Sequence, residues 1–553
     1  MEWLAAPVPE AAAGLEQAGI PPWLAVLLAR RGVTDSGGAD RFLRPSLDQL
    51  HDPYRLAGME QSVLRLIQAR DRKEMVAIVG DYDVDGISAT ALLMAVFAAC
   101  GIEAKPILPH RLKEGYGFQP VHVERARGMG CGLIVTADCG SSSEEAVLAA
   151  LAAGIGVIIT DHHLPGCEMP EGVLHINPRQ AGCSYPFRDL AAAGLALKLS
   201  LALAERCGKT LDPAPLLRVA CLGTIADLVP LHGENRVIAA LGLTALEGAR
   251  SQGLLALIEK SGMKPPFTAA DIGFRIGPRI NAAGRLQDPN QALDLLMSRD
   301  ARKAAALASE LDVLNRERQT AETRVVDDAR REFLGRSPLP PILVAWSERW
   351  HKGVVGVAAG RLAKDFNRPT VLLAVEGETA TGSGRSVDGI ELHGFLSPWK
   401  ERMVRFGGHA AAIGLTAETG RLEELRRDWE AAGAAWPEEL LARRIEYELD
   451  LAPRDVSAGL LAQLATLEPF GQGNPRPLIR TGPLKIDGEP RMFGNGHLSA
   501  RARGEDGSAV ELLGWRWVDR AGSLRGRFEV LACVENDSYR GGPVLRLVDS
   551  RPV

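Results

Sequence analysis

The stretch VAIVGDYDVDG, residues 76–86, decides the fold: a short apolar run passes straight into three closely spaced aspartates. An uninterrupted apolar run of this length suits a strand buried on both faces of a parallel sheet. A helix-like segment, 87–99, follows it. LIVTA (133–137) precedes a second such segment, 144–153, and VIIT (157–160) comes soon after. Apolar runs spaced by helices predict a doubly wound α/β domain. In such sheets ligands bind beyond the carboxyl ends of the strands. There VAIVG meets Asp81, Asp83 and Asp85, LIVTA meets Asp138, and VIIT meets Asp161, His162 and His163. Asp227 stands at the end of a helix-like run in CLGTIADLVPL (221–231).

The chain of 553 residues is too long for one core and calls for three or four domains. With 46% hydrophobic and 24% charged residues it reads as a globular, water-soluble protein. The net charge of −5 leaves any nucleic-acid contact to a local basic surface. The start, MEWLAAPVPE, lacks the basic region of a signal peptide, and no apolar stretch reaches the length of a membrane span. Eight cysteines form no CxxC pair, which suits reduced thiols in a cytoplasmic protein.

A lone DYD or DG after a strand is usually a turn or helix cap, and a lone HH a surface pair. Three such segments on one sheet edge are a different matter, because crowded carboxylates are costly unless cations neutralise them. Mixed Asp/His donors suit Mn²⁺, with Mg²⁺ the alternative. Two ions could bridge a phosphate, activate water and stabilise a leaving oxygen, which is phosphoester hydrolysis.

GDYDVDG, TADCG, DHH and GTIADLVPL resemble, in order and spacing, the four motifs of the DHH phosphoesterase superfamily. The resemblance implies metal ligation by Asp81, Asp83, Asp138, His162, His163 and Asp227, with one carboxylate bridging both ions and Asp85 a further candidate. It gives Asp161 the orienting role of a carboxylate behind a ligating histidine. Many relatives carry a histidine shortly before the paired aspartates of the first motif; here Asp81 takes that role.

Later segments narrow the resemblance to the branch that degrades single-stranded DNA from its 5′ end. FRIGPRINAAGRL (274–286) offers Arg275, Arg279 and Arg285 around Asn281. TGSGRS (381–386) reads as a small-residue turn with Ser383, Arg385 and Ser386. RFGGHAAAIGL (405–415) puts His409 after Gly407 and Gly408, and PHRLKEGYG (109–117) carries Arg111 and Tyr116. Gly-rich turns with arginines match phosphate oxygens, and a tyrosine can stack on a base. The resemblance assigns 381–415 to the DHHA1 accessory domain, with His409 and the arginine turn holding substrate across a cleft. It likewise makes EPFGQGNPRP (468–477) a linker into the last domain. In that region HLSARAR (497–503) alternates cleanly, and the strand pattern predicts an OB-like barrel. Arg501 and Arg503 share one strand face. Trp515, Arg516, Trp517 and Tyr539 are expected in neighbouring strands, the two tryptophans on one face, as a DNA platform or as core.

PILVAW (341–346), a helix over about 353–366 and TVLLAV (370–375) predict a second α/β unit. The expected order is therefore an N-terminal helical segment (1–70), a parallel-sheet DHH domain (71–300), a long connecting helix (301–335), a smaller α/β DHHA1 domain (336–440) and an all-β OB-like domain (441–553). Arg111, Arg279 and Arg385 are expected to capture a terminal 5′ phosphate, in a cleft too narrow for duplex. Single-stranded DNA is the implied substrate, with a helicase and a single-strand-binding protein as further partners in repair and recombination. Smaller relatives that cut oligonucleotides or cyclic dinucleotides offer a second reading, and a DNA-binding scaffold without catalysis a third.

Overall fold

The computed structural model describes residues 2–110, 114, 117–537 and 541–553. Its first sheet is five-stranded and entirely parallel, in the order Ala104–Ile107, Met75–Gly80, Cys131–Ala137, Gly156–Thr160, Leu174–Ile176. Successive residues of the central strands enter opposite cores: Ile78 and Val135 on one side, Val79 and Ile134 on the other. Both faces are covered, which is why these strands read as unbroken apolar runs. The helix after the first strand, Val84–Ala99, starts earlier than its apolar pattern, because the Asp83 carboxylate accepts the amides of Asp85 and Gly86 and caps it. A Cβ on Gly86 would stand 2.6 Å from the backbone of Asp81, so only glycine lets that first turn close.

A 34-residue helix, Ala301–Leu334, spans about 50 Å. Its first half (Ala304, Ala308, Leu311, Leu314) lies in the core of the parallel-sheet domain. Its second half (Val325, Val326, Ala329, Phe333) lies in that of the next domain. The second sheet is also five-stranded but mixed, in the order Arg405–His409, Ala412–Glu418, Thr379–Arg385, Thr370–Glu376, Leu343–Ser347. Here TGSGRS departs from expectation. Most of it lies in the middle strand, laddered on both sides, so its amides serve the sheet and do not form an open turn. RFGGHAAAIGL is a hairpin in the same sheet. GPRINAAGR forms the helix Gly277–Leu286, with Ile280, Ala282, Ala283 and Gly284 buried, so this face does fill a core.

The C-terminal strands close into the expected barrel, Ile479–Ile486 pairing with both Phe528–Asn536 and His497–Gly504. Leu498, Ala500 and Ala502 point into it. The two tryptophans do not share a face, because the strand ends at Gly514 and Arg516 takes a left-handed backbone. Trp517 turns inward against Gly514, 3% exposed, and Trp515 outward, 52% exposed. Tyr539 lies outside the described residues.

The structure divides the segment expected at 1–70. Leu15, Leu27 and Leu28 share a core with Ile479, Leu512 and Phe528 of the barrel, and Glu2–Ala5 pairs with Arg444–Tyr447. Met59–Asp71 instead packs on the parallel-sheet domain. Arg236 sits where these parts meet, buried, its guanidinium donating to the carbonyls of Phe42 (2.7 Å), Leu467 (3.0 Å) and Glu468 (2.7 Å). Among the described residues all eight cysteines are free, and no helix is long and apolar enough to cross a membrane.

Candidate metal centre and substrate cleft

The carboxyl ends of three adjacent strands deliver Asp81, Asp138 and Asp161 side by side, each as the first residue after its strand. Asp138 has a left-handed backbone (φ 69°), which an aspartate tolerates and which turns its carboxylate back over the edge. Asp83 and Asp85 come from the first turn of Val84–Ala99, and Asp227 from the C-cap of Pro213–Ala226. Their donor atoms fall into three overlapping groups, each within 4.8 Å: Asp81, Asp83 and Asp138; Asp138, His162 and His163; Asp85, His162 and Asp227. Together these six carboxylate and imidazole donors, with Asp85, would hold a pair of hard-to-borderline divalent cations. A second observation agrees. Asp138 Oδ1 and His162 Nε2 are buried without a hydrogen bond among the described residues, and lie 3.2 Å apart. Buried polar atoms rarely stay so unless an unseen partner completes them.

The electrostatics describe the same deficit. Burial, then the neighbouring carboxylates of Asp85, Asp83, Asp227 and Asp81, push Asp138 well above the usual carboxylate range. Burial and Asp83 push Asp85 up to about 7, and burial and Asp85 push Asp227 up to about 9. Burial, then His163, pulls His162 down to about 3, keeping its imidazole neutral and fit to donate a lone pair. Asp161 does the orienting. Its Oδ1 accepts from the amides of His162 (2.8 Å) and His163 (3.1 Å) and from His163 Nδ1 (2.7 Å), and its Oδ2 from the amide of Ser141 (2.9 Å). Burial alone would raise Asp161 and lower His163; their contact outweighs both effects. Asp85 is gripped differently, its two oxygens accepting the amides of Ala192 (2.7 Å) and Ala193 (2.8 Å) at a helix N-terminus.

The phosphate-binding candidates fare unevenly. Asn281 Oδ1 accepts the amide of Val84, so its helix abuts the metal cluster. Arg279 was expected to meet a 5′ phosphate, but its guanidinium pairs with Asp312 of the long helix (2.8 Å) and with the carbonyl of Arg275. Arg275 reaches the carbonyl of Gly262. Arg385 folds onto Ser383 Oγ (2.6 Å), and Ser386 onto the carbonyl of Ile390 (2.6 Å). Gly407, Gly408 and His409 form an exposed hairpin edge. Arg111 and Tyr116 lie outside the described residues.

Two groups escaped the sequence reading. His351-Lys352-Gly353 precedes the helix Val355–Phe366, and Gly353 O accepts from Arg285 (3.5 Å). At Gly356, one turn on, a Cβ would stand 3.3 Å from Arg385 Nη2. This segment therefore joins the two arginines across the domain seam, and a glycine before the helix and another in its first turn were the available signal. Asn177, after the last strand of the parallel sheet, donates to the carbonyl of His163 (2.8 Å) and to Ser141 Oγ (2.9 Å), bracing the histidine loop from behind.

A parallel sheet edge that gathers these carboxylates and histidines defines a DHH-type phosphoesterase, and residues 75–224 match the DHH family, N-terminal domain. Residues 339–432 match the DHHA1 domain and residues 447–548 the RecJ OB domain. The chain belongs to the RecJ family. It is 37% identical over 506 residues to the single-stranded-DNA-specific exonuclease RecJ of Dickeya dadantii, covering 87% of this chain and 86% of that protein. It is equally 37% identical to RecJ of Bacillus subtilis over 84% of this chain, spanning 59% of that longer protein. Among solved structures, RecJ of Thermus thermophilus in complex with Mn²⁺ superposes with a TM-score of 0.82 at 31% identity, covering 100% of this chain and 80% of that one. The complex of the same protein with Mg²⁺ gives 0.78 at 29% identity, covering 100% of this chain and 78% of that one.

Proposed function

We propose that this chain is a metal-dependent exonuclease that hydrolyses single-stranded DNA from the 5′ end and releases 5′-mononucleotides. Asp81, Asp83, Asp138, His162, His163 and Asp227 hold two divalent cations, Mn²⁺ or Mg²⁺, with Asp85 beside them. When bound, such a pair supplies Lewis acidity to the scissile phosphate and lowers the pKa of the attacking water. The chain's own residues do the rest. Asp161 holds Nδ1 of His163 and so leaves Nε2 as its ligand atom. Burial keeps His162 neutral. Ser383 and Arg385 grip the terminal phosphate and fix how far the strand enters, which sets polarity. Arg285 and the 351–356 segment line the seam between grip and cluster, and His409 stabilises charge from the accessory side.

The observation that carries this reading is the overlap of three donor groups on one sheet edge, with Asp138 Oδ1 and His162 Nε2 buried and unbonded among the described residues. The setting in keeping with eight free cysteines is the cytoplasm, and a helicase and a single-strand-binding protein are the partners that would present such ends.

The test is digestion of single-stranded oligonucleotides labelled at either end, in Mn²⁺ or EDTA, beside Asp138→Asn. Metal-dependent loss from the 5′ end, absent in the variant, is the expected result. Turnover confined to dinucleotides would move the chain to small substrates, and tight binding without cleavage would make it a scaffold. Binding should weaken steeply with salt, as phosphate contacts release counterions.

A further inference from the structure

The two helices that hold Asp85 run side by side away from the metal cluster and end at the same place. Val84–Ala99 carries Asp85 in its first turn, and Ala192–Arg206 offers that carboxylate the amides of Ala192 (2.7 Å) and Ala193 (2.8 Å). About 24 Å further on, at about 1.5 Å per residue, each helix stops on a cysteine: Cys100 caps the first and Cys207 the second. Both belong to one apolar cluster, Cys100 buried and Cys207 half-buried. Their surroundings differ. Cys207 Sγ accepts from Arg70 Nη1 (3.4 Å) of the helix Met59–Asp71. A partly exposed sulfur facing a cation is the setting in which reactive thiols are found. Cys100 lies deeper. Burial first, then the adjoining Cys207, pushes its thiol up to about 11, so Cys100 keeps its proton. One accessible sulfur beside a cation, next to one that stays protonated, is the arrangement of an attacking and a resolving thiol. Cys167 offers the contrast: it is also half-buried, but its thiol faces the carbonyl of Ser141 (4.0 Å).

We propose that Cys207 and Cys100 form a peroxide-reactive thiol pair that closes into a disulfide and ties the far ends of these two helices together. The site stands apart from the nuclease reading and does not depend on it. In the first step the Cys207 sulfur attacks one oxygen of hydrogen peroxide. An S–O bond forms, the O–O bond breaks, and the departing oxygen leaves as water with the thiol's proton. In the second step the Cys100 sulfur attacks the sulfenic acid so formed. The S–S bond forms, the S–O bond breaks, and a second water carries off the Cys100 proton. Two thiols are oxidised and one peroxide is reduced to two waters. In a reducing compartment such a bond is transient, and a dithiol reductant restores both thiols. Because it joins residues far apart in sequence, the bond restrains the unfolded chain more than the folded one.

The experiment exposes the whole protein, in EDTA, to a small excess of hydrogen peroxide and maps its thiols by mass spectrometry. The eight free thiols should fall by two, with the Cys100 and Cys207 peptides joined and lacking two hydrogens, and Cys167 still free. Dithiothreitol should restore all eight. In Cys100→Ala the reaction should stop at Cys207 as a sulfenic acid, which dimedone traps. In Cys207→Ser the Cys100 thiol should survive the same dose. The linked protein should melt about 5 °C higher than the reduced one, and Cys207→Ser should show no such shift. The wild-type mapping decides the link even where a variant fails to fold. An unchanged thiol count, a link through other cysteines, or dimedone on Cys100 in place of Cys207 would overturn the pair. A melting temperature that fell on linkage would overturn the fastening of the helices. Failure of the chain to cut any single strand would overturn the nuclease reading and leave this site as it is.

Discussion

The molecule contains two five-stranded sheets that use their edges in opposite ways. The first is parallel, so every strand ends on one side, and residues 81, 138 and 161 become neighbours although up to eighty positions separate them. The second is mixed, and its candidates lie along adjacent strands, where Ser383 and Gly414 pair directly and His409 closes the outer hairpin. A parallel edge concentrates charge at a point and suits ions. A mixed ladder spreads donors over a surface and suits an extended chain. In the proposed reading, reaction and grip fall to different topologies, and the long helix, which enters the cores of both domains, spaces them.

The largest effect expected from this contrast is at the point of concentration. Asp138→Asn keeps shape and left-handed backbone but removes a charge shared by two donor groups, and activity in Mn²⁺ should fall about 10³-fold, a loss of several kcal/mol of transition-state stabilisation. A mild effect would show that the edge is not where chemistry occurs. Asp161→Ala should cost about 10–100-fold, the range for a carboxylate that orients a ligating histidine, with metal affinity falling in step in a calorimetric titration. Arg385→Ala, on the gripping surface, should leave cleavage in place but reduce the preference for a 5′-phosphorylated end about tenfold, as loss of a charge-assisted hydrogen bond does. If it abolished all turnover, grip and reaction would not be separable.

The smallest effect concerns stability without metal. Because Asp85 is pushed up to about 7, the folded state holds its proton after the unfolded chain, at the ordinary carboxylate value near 4, has released it. The metal-free protein should therefore lose stability as pH rises from about 4 through about 7, and Mn²⁺ should reverse the loss. Asp138→Asn should raise the metal-free melting temperature by about 2–4 °C for each kcal/mol of repulsion relieved. A metal-free melting temperature that rose with pH across this window would argue against the crowding.

The parallel edge was legible in the sequence because the signal is local: an apolar run, then an acid, three times. The mixed sheet was legible only in part: the apolar runs at 341–346 and 370–375 flank a helix and read as strands, as found, but Gly382 and Gly384 look like turn residues. They are a strand's response to crowding, and a Cβ on Gly384 would stand 2.7 Å from the Ile413 side chain. Trp515 and Trp517 misled for a different reason. Period-two alternation applies only inside a strand, and the strand stops at Gly514. Arg279 announced its charge but not its partner Asp312, thirty-three residues on. The pairing of the first helices with the barrel depends on contacts over four hundred residues apart, which no window of sequence can show.

Arg236 has a bearing on how the molecule comes apart. Its guanidinium is held by carbonyls from residues 42, 467 and 468, so one cation ties its own helix to two stretches of chain that are otherwise remote. Neither stretch can leave without stranding a buried charge, a penalty of several kcal/mol. The parallel-sheet domain and the barrel should therefore melt together, which a single calorimetric transition, split by Arg236→Met, would show.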